Sequence, residues 1–495
     1  MTSRMRVKGQ TFTLAGRFRY RSQAQLSTLL SDLGARVERT LTDRTDVFVA
    51  GQRPGARAAK ARRRGLPILS EEELLTLLRE RTRLNTRIAA LRRIAHGDPT
   101  TRLWHRICTH LDLWPDAEEL HLALDYLAPH LKRWPTQLRR APDAWCARLL
   151  QTGSEPRLTI TRVAELRDTP EEPFNEAHAR RIAQSPDLGQ LTHLTLHTST
   201  RDTSAFMGLA RSPWLERLES LHLSSPESTD HVGLQLTSST AFSRLKALHV
   251  SMAITDAWVE ALASASRLTT LTRLTLQKAG LSPASALSLA ASPHITRLVE
   301  LDLSHNNVGT NGARALATSP NAERLRTLRL TRNRLTGEAL VAIATSDHLK
   351  HLTELDLGHN AIDSSGARAL ARSPLLGHLR RLNLSHTTLD DEGVAQLANS
   401  PAAAGLRHLD LTGCPIGDAG ATAIARSPHL TGLRTLGLQE YALSRDTIEA
   451  LARSPHLRKS IRTHWEDALD DFDAFGLVED YEYGLSSDDE RASWD

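Results

Sequence analysis

The sequence predicts an α/β protein built from three parts in series: a small three-layer domain, a helical segment and a long solenoid. Three observations lead to this prediction. Strand and helix periodicity alternate near the N-terminus, helical periodicity alone follows, and a 27-residue repeat then fills more than half of the chain. A chain of 495 residues is also too long for one ordinary hydrophobic core.

The first part, residues 1–84, has the predicted order β-α-β-β-α-β-α. Strands are predicted at "TFTL", which ends at Gly16, and at "ARVER", "DVFVAG" and "LPIL". Helices are predicted at "SQAQLSTLLSDLG", "GARAAKARRRG" and "SEEELLTLL", the last beginning with a capping box of Ser70 and Glu73. This order predicts a small parallel sheet with helices on both faces.

These segments, in this order, resemble the BRCT domain at the end of bacterial NAD-dependent DNA ligases, over about residues 7–80. The resemblance implies one of two functions. Some BRCT domains bind phosphopeptides or a DNA 5′-phosphate through a Ser or Thr hydroxyl, the N–H of the following Gly and a Lys of the second helix. Others only bind proteins.

In this sequence, Ala15 stands where those phosphate-binding domains have the Ser or Thr, and Gly16 follows it. Arg57 or Lys60 could supply the cation. The missing hydroxyl removes a hydrogen bond worth about 1.5–3 kcal/mol to a charged group. We therefore expect generic binding of anions or the DNA backbone rather than selective recognition of phosphopeptides.

Charge is distributed unevenly along the chain. Residues 1–94 contain 21 Arg and Lys against 8 Asp and Glu, whereas 12 acidic residues and one Arg follow from His464 onward. The basic residues of the N-terminal segment are typical of a surface that contacts phosphates, although a solvated Arg-rich helix face explains them equally well. The candidates for anion or DNA binding are Gly16, Arg17, Arg19, Arg21, Arg57, Lys60, Arg62, Arg63 and Arg64.

Residues 85–154 are expected to form a helical linker or cap. Their four tryptophans lie among Leu and Ile, which favours the core of a small bundle over a ligand cage. His105, Cys108 and His110 offer too few ligands for a metal, so we expect neither a metal nor any other cofactor. The three cysteines are scattered, which is typical of a reducing, cytoplasmic location.

The phrase L-x-x-L-x-L recurs every 27 residues, with one step of 26, in residues 191–462. Each of about ten repeats is expected to consist of a strand, a turn and a helix, and a recurring Ser-Pro stops the helix. Asn occupies the turn position at Asn306, Asn333 and Asn360, and the next two repeats have Thr387 and Cys414 there, which gives Cys414 an expected structural role. The pattern resembles leucine-rich repeats of the ribonuclease-inhibitor type, which implies a horseshoe solenoid. Residues 155–190 are expected to form an N-terminal half repeat or cap. The first leucines of the phrases are Leu191, Leu218, Leu245, Leu271, Leu298, Leu325, Leu352, Leu379, Leu406 and Leu433.

The concave face of such a solenoid exposes the residues between the strand leucines. Asp302, Arg329 and Asp356 should form a cross-strand charge ladder, which is either a structural feature or part of a surface that binds a protein partner. A metal is not expected at the histidines of this array. The candidates for protein binding are His222, His249, Glu300, Asp302, Arg329, Glu354, Asp356 and Asp410.

Residues 463–495 form an acidic segment with interspersed aromatics. A disordered solubilising tail is one interpretation. An intramolecular contact with the basic N-terminal domain is the other.

The sequence lacks a phosphate-binding loop, an H-E-x-x-H motif, a G-x-S-x-G motif and the Lys-x-Asp-Gly motif of a ligase, so we do not expect an enzyme. The leading hypothesis is a cytoplasmic adaptor or scaffold whose solenoid binds a protein and whose N-terminal domain binds protein or DNA. One alternative is a DNA-binding accessory factor regulated by the acidic tail. Another is an inhibitor of a basic enzyme, similar to ribonuclease inhibitor. No membrane partner is expected.

Overall fold

The computed structural model of the protein describes residues 7–81, 84–114, 117–168, 173–199, 204–225, 239 and 242–475. These residues form two compact units. One is drawn from Met1–Arg167, Asn175–Thr195 and Arg211–Leu218, and the other from Asp168–Phe174, Leu196–Ala210 and Glu219–Asp495.

The N-terminal domain has the predicted element order. Its parallel sheet has the strand order β2-β1-β3-β4. The predicted capping box is present, because the N–H of Ser70 donates to Glu73 and the N–H of Glu73 donates to Ser70. The elements are β1 (Thr11–Ala15), α1 (Gln23–Asp32), β2 (Arg36–Glu38), β3 (Val47–Ala50), α2 (Ala56–Arg63), β4 (Ile68–Ser70) and α3 (Glu71–Arg81).

The core of this domain extends beyond its own sheet. Phe12, Leu30 and Leu74 pack in one apolar cluster with Ala90 and Leu113, which belong to the helical segment. The N-terminal domain and the helical segment therefore share part of one apolar core.

Four helices make up the segment after the N-terminal domain. Trp104, Trp114, Trp134 and Trp145 are all buried, as expected for the core of a bundle. The indole N–H of Trp104 donates to the carbonyl of Arg140 at 2.7 Å, which satisfies its buried polar group. The helices are α4 (Leu84–Ala95), α5 (Thr101–Asp112), α6 (Ala117–Leu131) and α7 (Asp143–Thr152).

Eleven parallel strands form the sheet of the repeat array, in sequential order. Neighbouring strands are in register at the buried leucine, so that Leu274, Leu301 and Leu328 lie side by side. The strands are β5 (Val163–Arg167), β6 (His193–His197), β7 (Ser220–Ser224), β8 (Ala247–Ser251), β9 (Arg273–Leu276), β10 (Glu300–Asp302), β11 (Thr327–Arg329), β12 (Glu354–Asp356), β13 (Arg381–Asn383), β14 (His408–Asp410) and β15 (Thr435–Gly437).

Strand β5 lies in the segment for which the sequence predicted only a half repeat or cap. The N–H of Thr192 donates to the carbonyl of Arg162 at 2.9 Å, which aligns Thr161 and Ala164 with the first two leucines of the next repeat. The leucine pattern could not detect this repeat because Thr and Ala occupy those two positions.

A helix connects each strand of the array to the next over most of its length. Residues 226–238, 240 and 241, between β7 and β8, lie outside the described residues. The helices are α8 (Glu176–Gln184), α9 (Ser204–Arg211), α10 (Asp256–Ala263), α11 (Pro283–Ala290), α12 (Gly309–Thr318), α13 (Gly337–Ala344), α14 (Ser364–Ala371), α15 (Pro374–His378), α16 (Asp391–Ala398), α17 (Asp418–Arg426), α18 (Arg445–Ala452) and α19 (Lys459–Phe475).

Between Ser292 and Ser454, the serine that follows each repeat helix links neighbouring repeats. The Ser427 hydroxyl donates to the carbonyl of Ala398, one repeat earlier, and accepts the N–H of His429. Ser454 makes the same bond to Ala425 at 2.5 Å. The proline of Ser-Pro explains why the helix ends, and the serine hydroxyl connects that end to the preceding repeat.

Helix α19 changes the interpretation of the acidic tail, which the sequence predicted from residue 463. Residues 463–475 lie within this helix, and Ile461, Trp465 and Ala468 are buried. This spacing places three apolar side chains on one face, which covers the last repeat. Residues 476–495 lie outside the described residues.

Candidate interaction surfaces

The end of β1 decides what an anion could contact on the N-terminal domain. Ala15 is buried in an apolar cluster with Ala58 and Ala61 of α2, so its methyl group serves packing. Gly16 has a φ of +101°, and a Cβ there would lie 2.7 Å from the Gln52 carbonyl oxygen. Only glycine fits this close approach of two backbones.

A pair of backbone hydrogen bonds brings β1 next to the loop that leads into α2. The N–H of Arg17 donates to the Gln52 carbonyl at 2.9 Å, and the N–H of Gln52 donates back to Arg17 at 2.7 Å. Helix α2 then begins at an uncapped Gly55. Arg57 and Lys60 therefore lie in the first turns of a helix that follows directly from this loop.

The nine predicted anion-binding residues differ in whether a carboxylate of the chain pairs with them. Arg21 pairs with Asp112 at 2.8 Å, and Arg64 pairs with Asp43 at 3.3 Å while donating to the Thr42 carbonyl. Gly16 contributes backbone only, and Arg19 lies over the Tyr20 ring. In the described part of the chain, no carboxylate pairs with the exposed side chains of Arg17, Arg57, Lys60, Arg62 and Arg63.

An internal anion that the sequence did not predict lies beside this basic surface. The buried carboxylate of Glu71 accepts the backbone N–H groups of Arg19, Tyr20 and Arg21 at 2.5, 3.0 and 2.8 Å. Three successive N–H groups converging on one carboxylate form an anion site of the kind that could hold a phosphate. Because Glu71 fills it, this concavity is not available to a ligand.

A second carboxylate fixes the N-terminal domain to the helical segment. Asp32, at the end of α1, accepts hydrogen bonds from the guanidinium of Arg106 and from Nε2 of His110 at 3.2 Å. Although burial opposes ionisation, the bonds from His110 and Arg106 hold the pKa of Asp32 below its ordinary value. Burial lowers the pKa of His110, so this imidazole is neutral at neutral pH.

A cross-strand charge ladder lies on the concave face of the repeats, but Glu300 and Glu354 pair with Arg329 where the sequence predicted Asp302 and Asp356. The Arg329 guanidinium donates to Glu300 at 2.8 Å and to Glu354 at 2.6 Å, and it lies 3.9 Å from Asp302. Arg381 lies 3.7 Å from the other oxygen of Glu354. Four half-exposed side chains of alternating charge therefore cross strands β10 to β13.

Each of the three aspartates of this face accepts a hydrogen bond from the nearby backbone. Asp302, Asp356 and Asp410 each accept the N–H of the residue two positions later, at 2.9 to 3.0 Å. Burial raises the pKa of Asp356, against hydrogen bonds from Thr331 and Gly358. These carboxylates therefore act as structural acceptors at the ends of the strands.

The two predicted histidines of the concave face lie on β7 and β8. The rings of His222 and His249 meet edge to face with centroids 4.1 Å apart, and His197 lies 5.5 Å from His222. Burial lowers the pKa of His249. Over the described residues, no group of three His, Cys, Asp or Glu is placed to hold a metal ion.

The turn after each strand carries a ladder of buried polar side chains. The Asn360 side chain accepts the N–H groups of Asn333 and Leu335, and it donates to the carbonyls of Leu330, Leu357 and Gly358. Cys414 takes the corresponding position two repeats later and donates to the Leu384 carbonyl at 3.0 Å. Its role is structural, as the sequence suggested.

The three cysteines of the chain are all buried. Cys108, Cys146 and Cys414 are buried free thiols, and burial raises the pKa of Cys146 to about 12.

None of the helices that the structure describes combines the length and the apolar character needed to cross a membrane.

Two family models match parts of the chain. The model of the BRCA1 C Terminus (BRCT) domain matches residues 5–78, and the Leucine Rich repeat model matches five segments between residues 294 and 425. The N-terminus is similar to "DNA ligase" of Prochlorococcus marinus (32% identity over 78 residues, 16% of this chain) and of Thermomicrobium roseum (40% over 74 residues, 15%). The aligned segment spans 11% of each ligase.

Solved structures with a similar chain trace include an internalin from Listeria monocytogenes, with a TM-score of 0.27 at 18% identity over 64% of this chain and 92% of that one. A Bacteroides fragilis protein has a TM-score of 0.31 at 15% identity, over 48% of this chain and 70% of its own. By the family models and the ligase alignments, the chain carries a BRCT domain similar to that of DNA ligases, followed by leucine-rich repeats.

Proposed function

We propose that this chain, which joins a BRCT domain to leucine-rich repeats, is a non-enzymatic adaptor or scaffold. Both parts are interaction modules. The concave face of the solenoid binds a protein partner, and the BRCT domain binds a second partner, either protein or DNA.

The observation that carries the proposal is the row of alternating charges on strands β10 to β13. Glu300, Arg329, Glu354 and Arg381 are half-exposed and hold each other in place. Side chains that are already ordered lose little conformational entropy on binding, and alternating charge selects partners of complementary pattern. Such a surface supports recognition of one partner more than non-specific adhesion.

The same face gives little support to an inhibitor of a basic enzyme. That alternative needs Asp302, Asp356 and Asp410 as acidic contacts, but all three accept backbone hydrogen bonds. Glu300 and Glu354 share Arg329. Few carboxylates on these strands are left to attract a cationic partner.

Site-specific photo-crosslinking in the full chain tests the adaptor proposal. A photoreactive residue at Thr327 or Thr435, on the concave strands, should capture the same protein. The matched control at Thr345, at the end of helix α13, should not capture it. The substitution Arg329→Glu should reduce capture at Thr327 because it reverses the central charge of the row. Identical products from all three positions would contradict the proposal.

A second function, DNA binding by the BRCT domain, is favoured by the exposed cations of α2. In the full chain, replacing Arg57, Lys60, Arg62 and Arg63 with Gln should weaken binding to a recessed DNA duplex by about tenfold or more and flatten its salt dependence. We expect no preference for a 5′-phosphate, because Ala15 offers no hydroxyl.

The full chain is needed because Leu113 lies in the core of the BRCT domain, so residues 1–94 alone would lack part of that core. The matched control removes the same charge elsewhere on this unit, by Gln substitution of Arg36, Arg39, Arg44 and Arg92. Equal loss in both variants would show a diffuse charge effect. Retained binding in the α2 variant would make the domain a protein-contact module.

A further inference from the structure

The segments that lead into the repeat strands contain a line of basic residues that the concave face does not include. Cations lie within two residues of the first leucine of most repeats. We call these residues the basic rim: Arg244, Lys246, Arg297, Arg324, Arg326, Lys350, Arg380, Arg407 and Arg434.

The strand register brings these segments to one edge of the sheet. The N–H of Arg326 donates to the Val299 carbonyl, and the chain of bonds continues from Thr353 to Arg326 and from Arg380 to Thr353 at 2.7 to 2.8 Å. The bonds from Arg407 to Arg380 and from Arg434 to Arg407 extend the same line. Arg380, Arg407 and Arg434 therefore follow one another at the spacing of neighbouring parallel strands, about 4.8 Å, and Arg326 lies two strands before Arg380.

The charge of this edge is only partly balanced. Lys246 pairs with Glu219 at 2.9 Å, and Lys350 lies 3.7 Å from Asp347. Glu323, also on this edge, faces His348. For the other seven members of the rim, the described residues provide no carboxylate partner.

Two of the rim arginines are held by backbone carbonyls. Arg380 donates to the Gly405 carbonyl at 3.0 Å, and Arg407 donates to the Leu406 carbonyl at 3.2 Å. A Cβ at Gly405 would lie 2.5 Å from the Arg380 guanidinium, so glycine leaves room for this arrangement. Positioned guanidiniums with remaining N–H groups suit phosphate oxygens.

The composition of the rim distinguishes nucleic acid from an acidic protein. Protein interfaces depend on buried aromatic or aliphatic anchors. The exposed large apolar residues of the described chain are Tyr20, Leu122, Trp214 and Leu287, and none of them is on the rim. The rim also has no aromatic on which unpaired bases could stack, which favours a duplex over a single strand.

We infer that the basic rim binds the phosphate backbone of a nucleic-acid duplex, without reading its sequence. From β8 to β15 the rim extends about 34 Å, roughly one helical turn of a duplex. Contacts from arginines to phosphates position a protein on the duplex but carry no base information. This inference does not depend on the adaptor proposal, since the rim and the concave face use different side chains.

The test measures binding of the full chain to a blunt 20-base-pair DNA duplex at two salt concentrations. The rim variant changes Arg297, Arg324, Arg326 and Arg434 to Gln, which spares the arginines that bond to carbonyls. We expect at least about tenfold weaker binding at low salt and a smaller salt slope, by up to about four. The control variant changes Arg372, Arg426, Arg458 and Lys459 to Gln and removes the same charge away from the rim.

The same comparison is made after the four α2 cations of the BRCT domain are replaced by Gln, so that binding by that domain cannot hide the effect. Equal affinity in the rim and control variants would overturn the inference. Loss of duplex binding only through the α2 substitutions would also overturn it, while supporting DNA binding by the BRCT domain. If polyglutamate at equal charge displaced the duplex from the rim as readily as DNA does, the rim would be a surface for acidic proteins instead. Matching melting temperatures establish that both variants are folded.

Discussion

Replacing Asn360 with alanine is expected to lower the free energy of unfolding of the repeat array by about 3–5 kcal/mol. The buried Asn360 side chain makes five hydrogen bonds to backbone groups of two repeats. Each buried backbone group left unpaired costs about 1–3 kcal/mol, partly offset where water enters. Urea unfolding of the full chain, with hydrogen exchange to locate the loss, measures the effect.

Thr387 provides the matched control, because it occupies the same turn position in the next repeat. Its hydroxyl donates to the Leu384 carbonyl at 2.7 Å and contacts Cys414. Thr387→Val should therefore cost only about 1 kcal/mol. If Asn360→Ala cost no more than Thr387→Val, the asparagine ladder would not be what holds neighbouring repeats together.

Replacing Arg87 with leucine should destabilise the N-terminal unit by about 3–4 kcal/mol. Arg87 is buried, and its guanidinium donates to the carbonyls of Leu113, Leu78 and Arg79. Burial lowers its pKa to about 10, so it remains a cation at neutral pH. The substitution leaves carbonyl groups at the ends of two helices without a hydrogen-bond donor. Loss of a buried hydrogen-bond network is one of the changes that lower the free energy of unfolding most. Thermal unfolding of the N-terminal unit reports the change.

Two further substitutions separate the hydrogen bonds of Arg87 from its charge and from helix propensity. Arg87→Lys keeps the charge but loses the planar fork, and we expect an intermediate loss. Arg92→Ala, on the exposed side of the same helix, should change stability by less than about 0.5 kcal/mol. A small effect of Arg87→Leu would mean that α3 and α4 are held by apolar packing alone.

The elements of both modules were predictable because their signals are local. The seven elements of the BRCT domain follow from hydrophobic spacing, glycine positions and a capping box. The repeats follow from a period that places one leucine in register with the next. The repeat with β5 was missed, because Thr161 and Ala164 stand where leucine is expected and burial of a small side chain leaves no pattern.

The candidate residues were only partly predictable. The row around Arg329 could be read from the sequence because adjacent repeats put equivalent positions on adjacent strands. The roles of Glu71 and Asp32 could not, since each contacts groups that lie tens of residues away. A carboxylate in a helix has no sequence signature that tells whether water or buried N–H groups surround it.

By itself, the sequence determined the type and order of the elements, the repeat period and the charge of each segment, because these depend on neighbouring residues or on regular spacing. Only the tertiary structure decided which charged side chains form ion pairs within the chain and which have no carboxylate partner among the described residues. Arg21 and Arg64 are paired while Arg57 and Lys60 have no carboxylate partner within the described residues, although all four look alike in sequence. The reason is physical: the strength of a charge at a surface depends on what the fold places within about 4 Å of it.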